Sequence, residues 1–225
     1  MARNVEFAPH EFYHIYNRGT EKRNIFLSRS DYERFSALLY SCNGTLPVRL
    51  DNIPESKQGR TLLERAIQCD RGTPLVEICA YVLMPNHFHL LIRERSDGGI
   101  SKFMQKLLTG YTMYFNTRRE RSGVLFQGKY KARHAHGDRY LAHLISYIHL
   151  NPVKLIEPLW KETGIRNRSN AERYLKQYTY SSYPDYLGQE RTANKIITKD
   201  ALPAYYESPK DFSNVIKEYL AYGPE

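Results

Sequence analysis

Cysteine is scarce in this chain of 225 residues: Cys42, Cys69 and Cys79 are odd in number and lack the close pairs of a zinc ribbon. That pattern excludes a disulfide framework and fits reduced, mostly buried thiols. Long hydrophobic runs are missing too. No apolar stretch approaches the roughly 20 residues that span a bilayer. Met1 to Glu21 carries charges where a secretory leader would be apolar, so a cytoplasmic protein with no membrane partner is expected. No internal repeat is visible. What remains is ordinary globular usage, 41% hydrophobic and 25% charged, which rules out wholesale disorder. The length allows one large domain, or one domain with an appendage.

Acidic residues are sparse where basic ones gather. The whole chain holds 33 Lys and Arg against 24 Asp and Glu, a net charge of +9. Between Ile100 and Tyr140 stand Lys102, Lys106, Arg118, Arg119, Arg121, Lys129, Lys131, Arg133 and Arg139 against Glu120 and Asp138 alone. Such a face concentrates a polyanion, and nucleic acid is the commonest large polyanion in a cell. The 19 tyrosines agree, because phenol rings stack on unpaired bases as well as filling cores.

The opening segment Glu11 to Arg18 alternates Phe12, His14 and Tyr16 against Tyr13, Ile15 and Asn17, which predicts a strand ended by Gly19. Ser30 or Asp31 can cap a helix carrying Tyr32, Phe35, Leu38 and Leu39 to about Cys42. Asn43 to Pro74 is rich in Pro and Gly and reads as an inserted excursion with a short helical piece around Leu62 to Ile67. Leu75 to Glu94 predicts two strands broken at Met84-Pro85-Asn86. Ile100, Phe103, Met104, Leu107, Leu108, Tyr111, Tyr114 and Phe115 make the stripe of an amphipathic helix. Val124 to Phe126 and Tyr130 to Ala135 suggest a hairpin or strand. A helix from Asp138 follows and stops at Asn151-Pro152. Short helical pieces are expected at Asn170 to Gln177 and Phe212 to Tyr222.

The strongest chemical constellation is Pro85-Asn86-His87-Phe88-His89. On a strand, residues two apart share a face, so His87 and His89 can converge on one divalent ion while Phe88 and Leu90 face the other way. The plain alternative is a hydrogen-bonded or surface pair. His134 and His136 form a second such pair at the end of a basic strand and face solvent or phosphate more naturally. Gly123 to Tyr130 matches phosphate-loop spacing until its last position, where Tyr130 replaces the Ser or Thr that would hold magnesium, so nucleotide hydrolysis is disfavoured. On the helix from Asp138, His143, Tyr147 and Asn151 lie four apart at the edge of the apolar face. The Tyr147 hydroxyl can therefore reach a cleft, or be an ordinary boundary phenol.

Taken together, the strand M-P-N-H-F-H-L-L-I, the helix end Y-T-M-Y-F-N-T-R-R, the turn G-V-L-F-Q-G-K-Y-K-A and the helix Y-L-A-H-L-I-S-Y-I-H-L-N-P-V-K resemble the single-tyrosine HUH transposases of single-stranded DNA. Their order, and the opening Y-N-R-G-T-E-K-R-N-I-F-L, are most like the REP-associated tyrosine transposases, the IS200-like branch. The resemblance covers roughly residues 11 to 160. It implies an α+β fold, a ferredoxin-like antiparallel sheet with helices on one face, in a catalytic domain over 1–160 with an insertion at about 43–74 and a C-terminal extension over 161–225.

The same resemblance implies that His87 and His89 are the metal-binding pair, Asn151 the third ligand and Tyr147 the nucleophile, with magnesium or manganese as cofactor. Tyr111 or Tyr114 is the alternative nucleophile, and His143 a candidate basic neighbour. The implied partner is hairpin-bearing single-stranded DNA. Arg118, Arg119, Lys129, Lys131 and Arg133 are candidates for phosphate contacts, and Asn17 and Arg18 for bases or flanking backbone. Dimeric relatives exchange the tyrosine helix and monomeric ones keep it, so monomer and homodimer both stay open. A binding-only regulator on the same fold and a nuclease that releases both ends are the competing functions.

Overall fold

The computed structural model describes residues 5–55, 58–203, 206 and 208–222. Its centre is a four-stranded antiparallel sheet of β1 (Phe12–Arg18), β2 (Val76–Met84), β3 (His87–Glu94) and β4 (Lys131–His134), in the spatial order β2-β3-β1-β4. Between β1 and β2 run α1 (Arg29–Ser41) and α2 (Leu62–Ala66), and between β3 and β4 runs α3 (Gly99–Arg118). With α2 set aside as part of the excursion, the connectivity is β-α-β-β-α-β, that of a ferredoxin-like sheet. After β4 come α4 (Asp138–Leu150), a 3-10 turn (Asn151–Leu155), α5 (Trp160–Thr163), α6 (Arg168–Gln177), α7 (Tyr183–Tyr186) and α8 (Pro209–Tyr222). No helix among the described residues is long and apolar enough to cross a membrane.

Each strand feeds two cores because its side chains alternate. Tyr13, Ile15, Ile78, Tyr81, Phe88, Leu90 and Ile92 point to one side, where Phe35, Leu39, Phe103, Leu107 and Tyr111 of α1 and α3 meet them. Burying each of these large side chains contributes about 1.5–3 kcal/mol. On the other side Ala80, Val82, Met84 and Leu91 meet Leu141, Leu144, Ile145 and Ile148 of α4, joined by Trp160, Leu175, Tyr186 and Phe212. The expectation of helices on one face therefore describes α1 and α3. The second face is covered by α4 and the extension, because β2 presents Ala80, Val82 and Met84 there and β3 adds Leu91.

The extension also closes a sheet edge. Leu83 N donates to Tyr180 O at 2.9 Å and Ser182 N to Tyr81 O at 3.0 Å, so the outer edge of β2 is hydrogen-bonded along part of its length. The helix cap differs from the sequence expectation. Ser28 is the N-cap of α1, and Asp31, three residues on, accepts from Ser28 N at 2.9 Å. Asp31 is fully buried and also pairs with Arg119 Nη2 at 2.8 Å, which ties the start of α1 to the end of α3. The excursion sits against α1, with Asn43 clamping its exit by accepting from Leu75 N and Val76 N and donating to Val76 O.

Candidate functional site

Strand register assembles the site. His87 opposes Arg18 and His89 opposes Tyr16 across β1 and β3, while Tyr16 opposes Lys131 and His14 opposes Arg133 across β1 and β4. Directly opposed residues share a face. Two imidazoles from β3, one from β1 and a row of cations therefore line the α4 side of the sheet, and Phe88, Leu90 and Ile15 go to the α1 side.

Hydrogen bonds fix how the imidazoles point. Asn86 Nδ2 donates to Lys22 O at 3.2 Å, which leaves its Oδ1 as the acceptor for His87 Nδ1 at 2.6 Å. In neutral His87 the proton then sits on Nδ1 and the lone pair on Nε2. His89 Nδ1 lies 2.8 Å from His14 Nε2, with the two rings stacked at 5.0 Å. If His89 presents its Nε2 lone pair, its Nδ1–H donates to His14. Burial lowers all three: His87 to about 4 and His14 to about 3, where the Arg133 charge adds to the effect, while His89 falls well below the ordinary value. All three rings are neutral at pH 7.

Tyr147 is brought to this cluster by α4. The stripe Leu141, Leu144, Ile145 and Ile148 seats the helix on β2 and β3, and Tyr147 falls beside the stripe. Its ring centroid is 5.4 Å from that of His89 and 6.1 Å from that of His14, nearly perpendicular to both. One turn later, Asn151 is buried, donates Nδ2–H to Tyr147 O at 3.4 Å and lies beside His87, whose charged form it favours. The cleft above, about 490 Å³, is lined by His14, Tyr16, His89, Arg133, Tyr140, His143, Leu144 and Tyr147.

Among the described residues no three His, Cys, Asp or Glu side chains cluster as a metal-holding group. The donor set that fits a divalent ion is instead two imidazoles and an amide. His87 and His89 are neutral, each has its Nδ1 hydrogen-bonded, so that Nε2 is the nitrogen left to bind an ion, and Asn151 lies beside His87. That is the ligand form of imidazole with an outer partner setting its tautomer.

The other predicted residues separate. Tyr111 is fully buried and donates to Ile25 O, and Tyr114 donates to Asp31 at 3.2 Å, both on the opposite side of the sheet. His134 pairs with Glu11 at 2.7 Å. Lys131 and Arg133 are exposed on the imidazole face, and Arg118 and Lys129 are exposed as well. Arg18 donates to the Gln127 side chain. Arg119 is held by Asp31, and Asn17 is buried on the α1 side, donating to Gly128 O at 3.2 Å. His143, a turn before Tyr147, lies between Tyr140 and Tyr219.

Two residues at the site escaped the sequence reading. His14 alternates with Tyr16 on β1, but only register shows that both lie against His89. Lys161 lies fourteen positions after Tyr147, yet its Nζ stands 4.1 Å from the Tyr147 ring centroid.

Residues 58–151 match the family described as Transposase IS200 like. A solved structure of a REP-associated tyrosine transposase bound to a REP hairpin is similar over 86% of this chain and 90% of that chain, with a TM-score of 0.52 and 11% sequence identity. At that identity the likeness is one of fold. No curated protein matches the chain.

Proposed function

From the premise of an IS200-like transposase match over residues 58–151, we propose that this protein is a metal-dependent single-stranded DNA transposase that cleaves and rejoins hairpin-bearing DNA through a 5′-phosphotyrosine. One observation carries the reading: in a single chain, the Tyr147 ring centroid stands 5.4 Å from that of His89, with buried Asn151 one helical turn on. The neighbour bound to a REP hairpin supports the choice of substrate class.

Tyr147 Oη attacks the scissile phosphorus. The new O–P bond forms as the bond to the 3′ oxygen breaks, and that oxygen leaves as a free 3′-OH after taking up a proton. One phosphodiester replaces another, so rejoining needs no nucleotide hydrolysis, in keeping with the failed phosphate-loop match. His87, His89 and Asn151 would hold a magnesium or manganese ion, which supplies Lewis-acid stabilisation of charge on the phosphate oxygens. His14 keeps the His89 ring in its tautomer. Lys131 and Arg133 flank the cleft, and with Arg18, Lys129 and Arg118 they form the basic surface for the strand. Tyrosine and imidazoles from one chain support action in cis.

The test incubates the protein with manganese and labelled single-stranded hairpins from the DNA flanking its gene, then resolves covalent adducts on a denaturing gel. An adduct that disappears in Tyr147→Phe and persists in Tyr111→Phe and Tyr114→Phe is expected. Cleavage without an adduct would identify a nuclease, and binding with neither would identify a regulator.

A further inference from the structure

We infer that Lys161, which lies outside the segment matched to the transposase family, is the cation that holds the Tyr147 ring and favours its attacking state. The inference rests on the tyrosine reading above. Trp160 is buried in the core that α4 shares with the extension and fixes the start of α5. The next side chain, half-buried, therefore reaches back over the site. Its Nζ stands 4.1 Å from the Tyr147 centroid and 5.8 Å from the Trp160 ring. Glu157, four residues earlier, is engaged elsewhere, accepting from Arg166 N at 2.8 Å and Asn167 N at 3.1 Å. Among the described residues Lys161 has no ion-pair partner, so its charge is directed at the ring.

The physical argument is differential. An ammonium over a phenol face is attracted by the ring quadrupole, and the attraction grows as the phenol gives up its proton and the ring system becomes negative. Interactions that strengthen toward the transition state raise the rate of the chemical step, whereas uniform ones change only binding. Lys161 is thus a positioning residue acting through Tyr147. No oxidant or co-reactant enters: the phenol loses its proton to solvent as the O–P bond forms, the departing 3′ oxygen takes one up, and the ammonium keeps its own.

The decisive measurement is single-turnover adduct formation with manganese and saturating labelled hairpin DNA, beside the dissociation constant from fluorescence anisotropy. Lys161→Met should slow adduct formation about tenfold, roughly the size of one cation–π contact. DNA affinity should stay within about twofold, because the contact is made to the tyrosine and not to the strand. Lys161→Arg should restore the rate to within about threefold, since arginine keeps the charge and stacks on aromatic faces. A Lys161→Met protein that reacts at the wild-type rate overturns the inference while leaving the tyrosine chemistry intact. So does a loss confined to affinity, or an arginine variant as slow as the methionine one. Absence of any adduct from the wild-type protein sinks the functional reading and this inference with it.

Discussion

On the α1 side of the sheet, charged groups are locked into the fold, while on the α4 side they are gathered around a cleft. The same strand supplies both. Tyr13, Ile15 and Asn17 of β1 go to packing and a loop tether, and His14, Tyr16 and Arg18 go to the candidate chemistry. Asp31, fully buried on the first side, has its needs met by Leu27 N, Ser28 N, Tyr114 and Arg119. His14 and His89 on the second side are also buried and His87 partly so, yet His87 and His89 each keep an Nε2 outside these hydrogen bonds, and His89 lines the cleft. Burial that pairs a charge, as at Asp31, stabilises a fold, whereas burial that leaves a lone pair free prepares a site, at a cost the first face must offset.

The largest effect expected from breaking this division comes from Asp31→Ala. It strands the partly buried Arg119 and removes acceptors from two backbone N–H groups, so unfolding free energy should fall by about 3 kcal/mol. Urea denaturation would read it. The comparison predicts that manganese affinity, measured below the melting transition, stays within about twofold, because distant sites with no shared partners act independently. A large loss of affinity would mean that the two faces are one cooperative unit.

Much of that division was legible in the sequence. The alternation in β1, the two strands around Pro85, the stripe of α3 and the boundaries of α4 follow from periodicity and from proline chemistry, and the structure has them within a residue or two. The shared face of His87 and His89 followed from the same period of two. Tyr147 and Asn151 at the edge of α4 followed from the helical period. Register did not, because pairing between strands separated by tens of residues leaves no local trace, and His14 was invisible for that reason. Lys161 needed the path of the chain after Asn151, set by Trp160 docking into a core made partly by the extension. Arg119 and Asn17 looked like DNA contacts because their roles depend on Asp31 and Gly128, distant partners that composition cannot reveal.

A middle-sized effect isolates His14. It touches neither the cleft ligands' free nitrogens nor the tyrosine oxygen in the reading above, and it acts by accepting from His89 Nδ1. Removing such an outer partner typically weakens metal affinity by about 10–100-fold. His14→Ala should therefore lower manganese affinity by that range in an electron paramagnetic resonance titration, whereas Ile15→Ala, its neighbour on the other face, should lower stability and leave affinity per folded molecule unchanged. Equal affinity losses from both variants would show that the strand, and not the imidazole, governs the site.

The smallest expected effect tests the basic residues individually. Each phosphate neutralised by a cation contributes about 0.7 to the slope of log affinity against log salt for a single strand. Lys131→Ala and Arg133→Ala, on the imidazole face and without a carboxylate partner among the described ion pairs, should each reduce that slope by about 0.7. Arg119 is charged as well, but its guanidinium is held by Asp31 at 2.8 Å on the opposite face, so Arg119→Ala should lower stability and leave the slope unchanged. Fluorescence anisotropy across a salt series with a labelled hairpin strand separates the two cases. A slope change in Arg119→Ala equal to that in Arg133→Ala would mean that DNA reaches round to the α1 side, and the assignment of chemistry to one face and folding to the other would then fail for nucleic-acid binding.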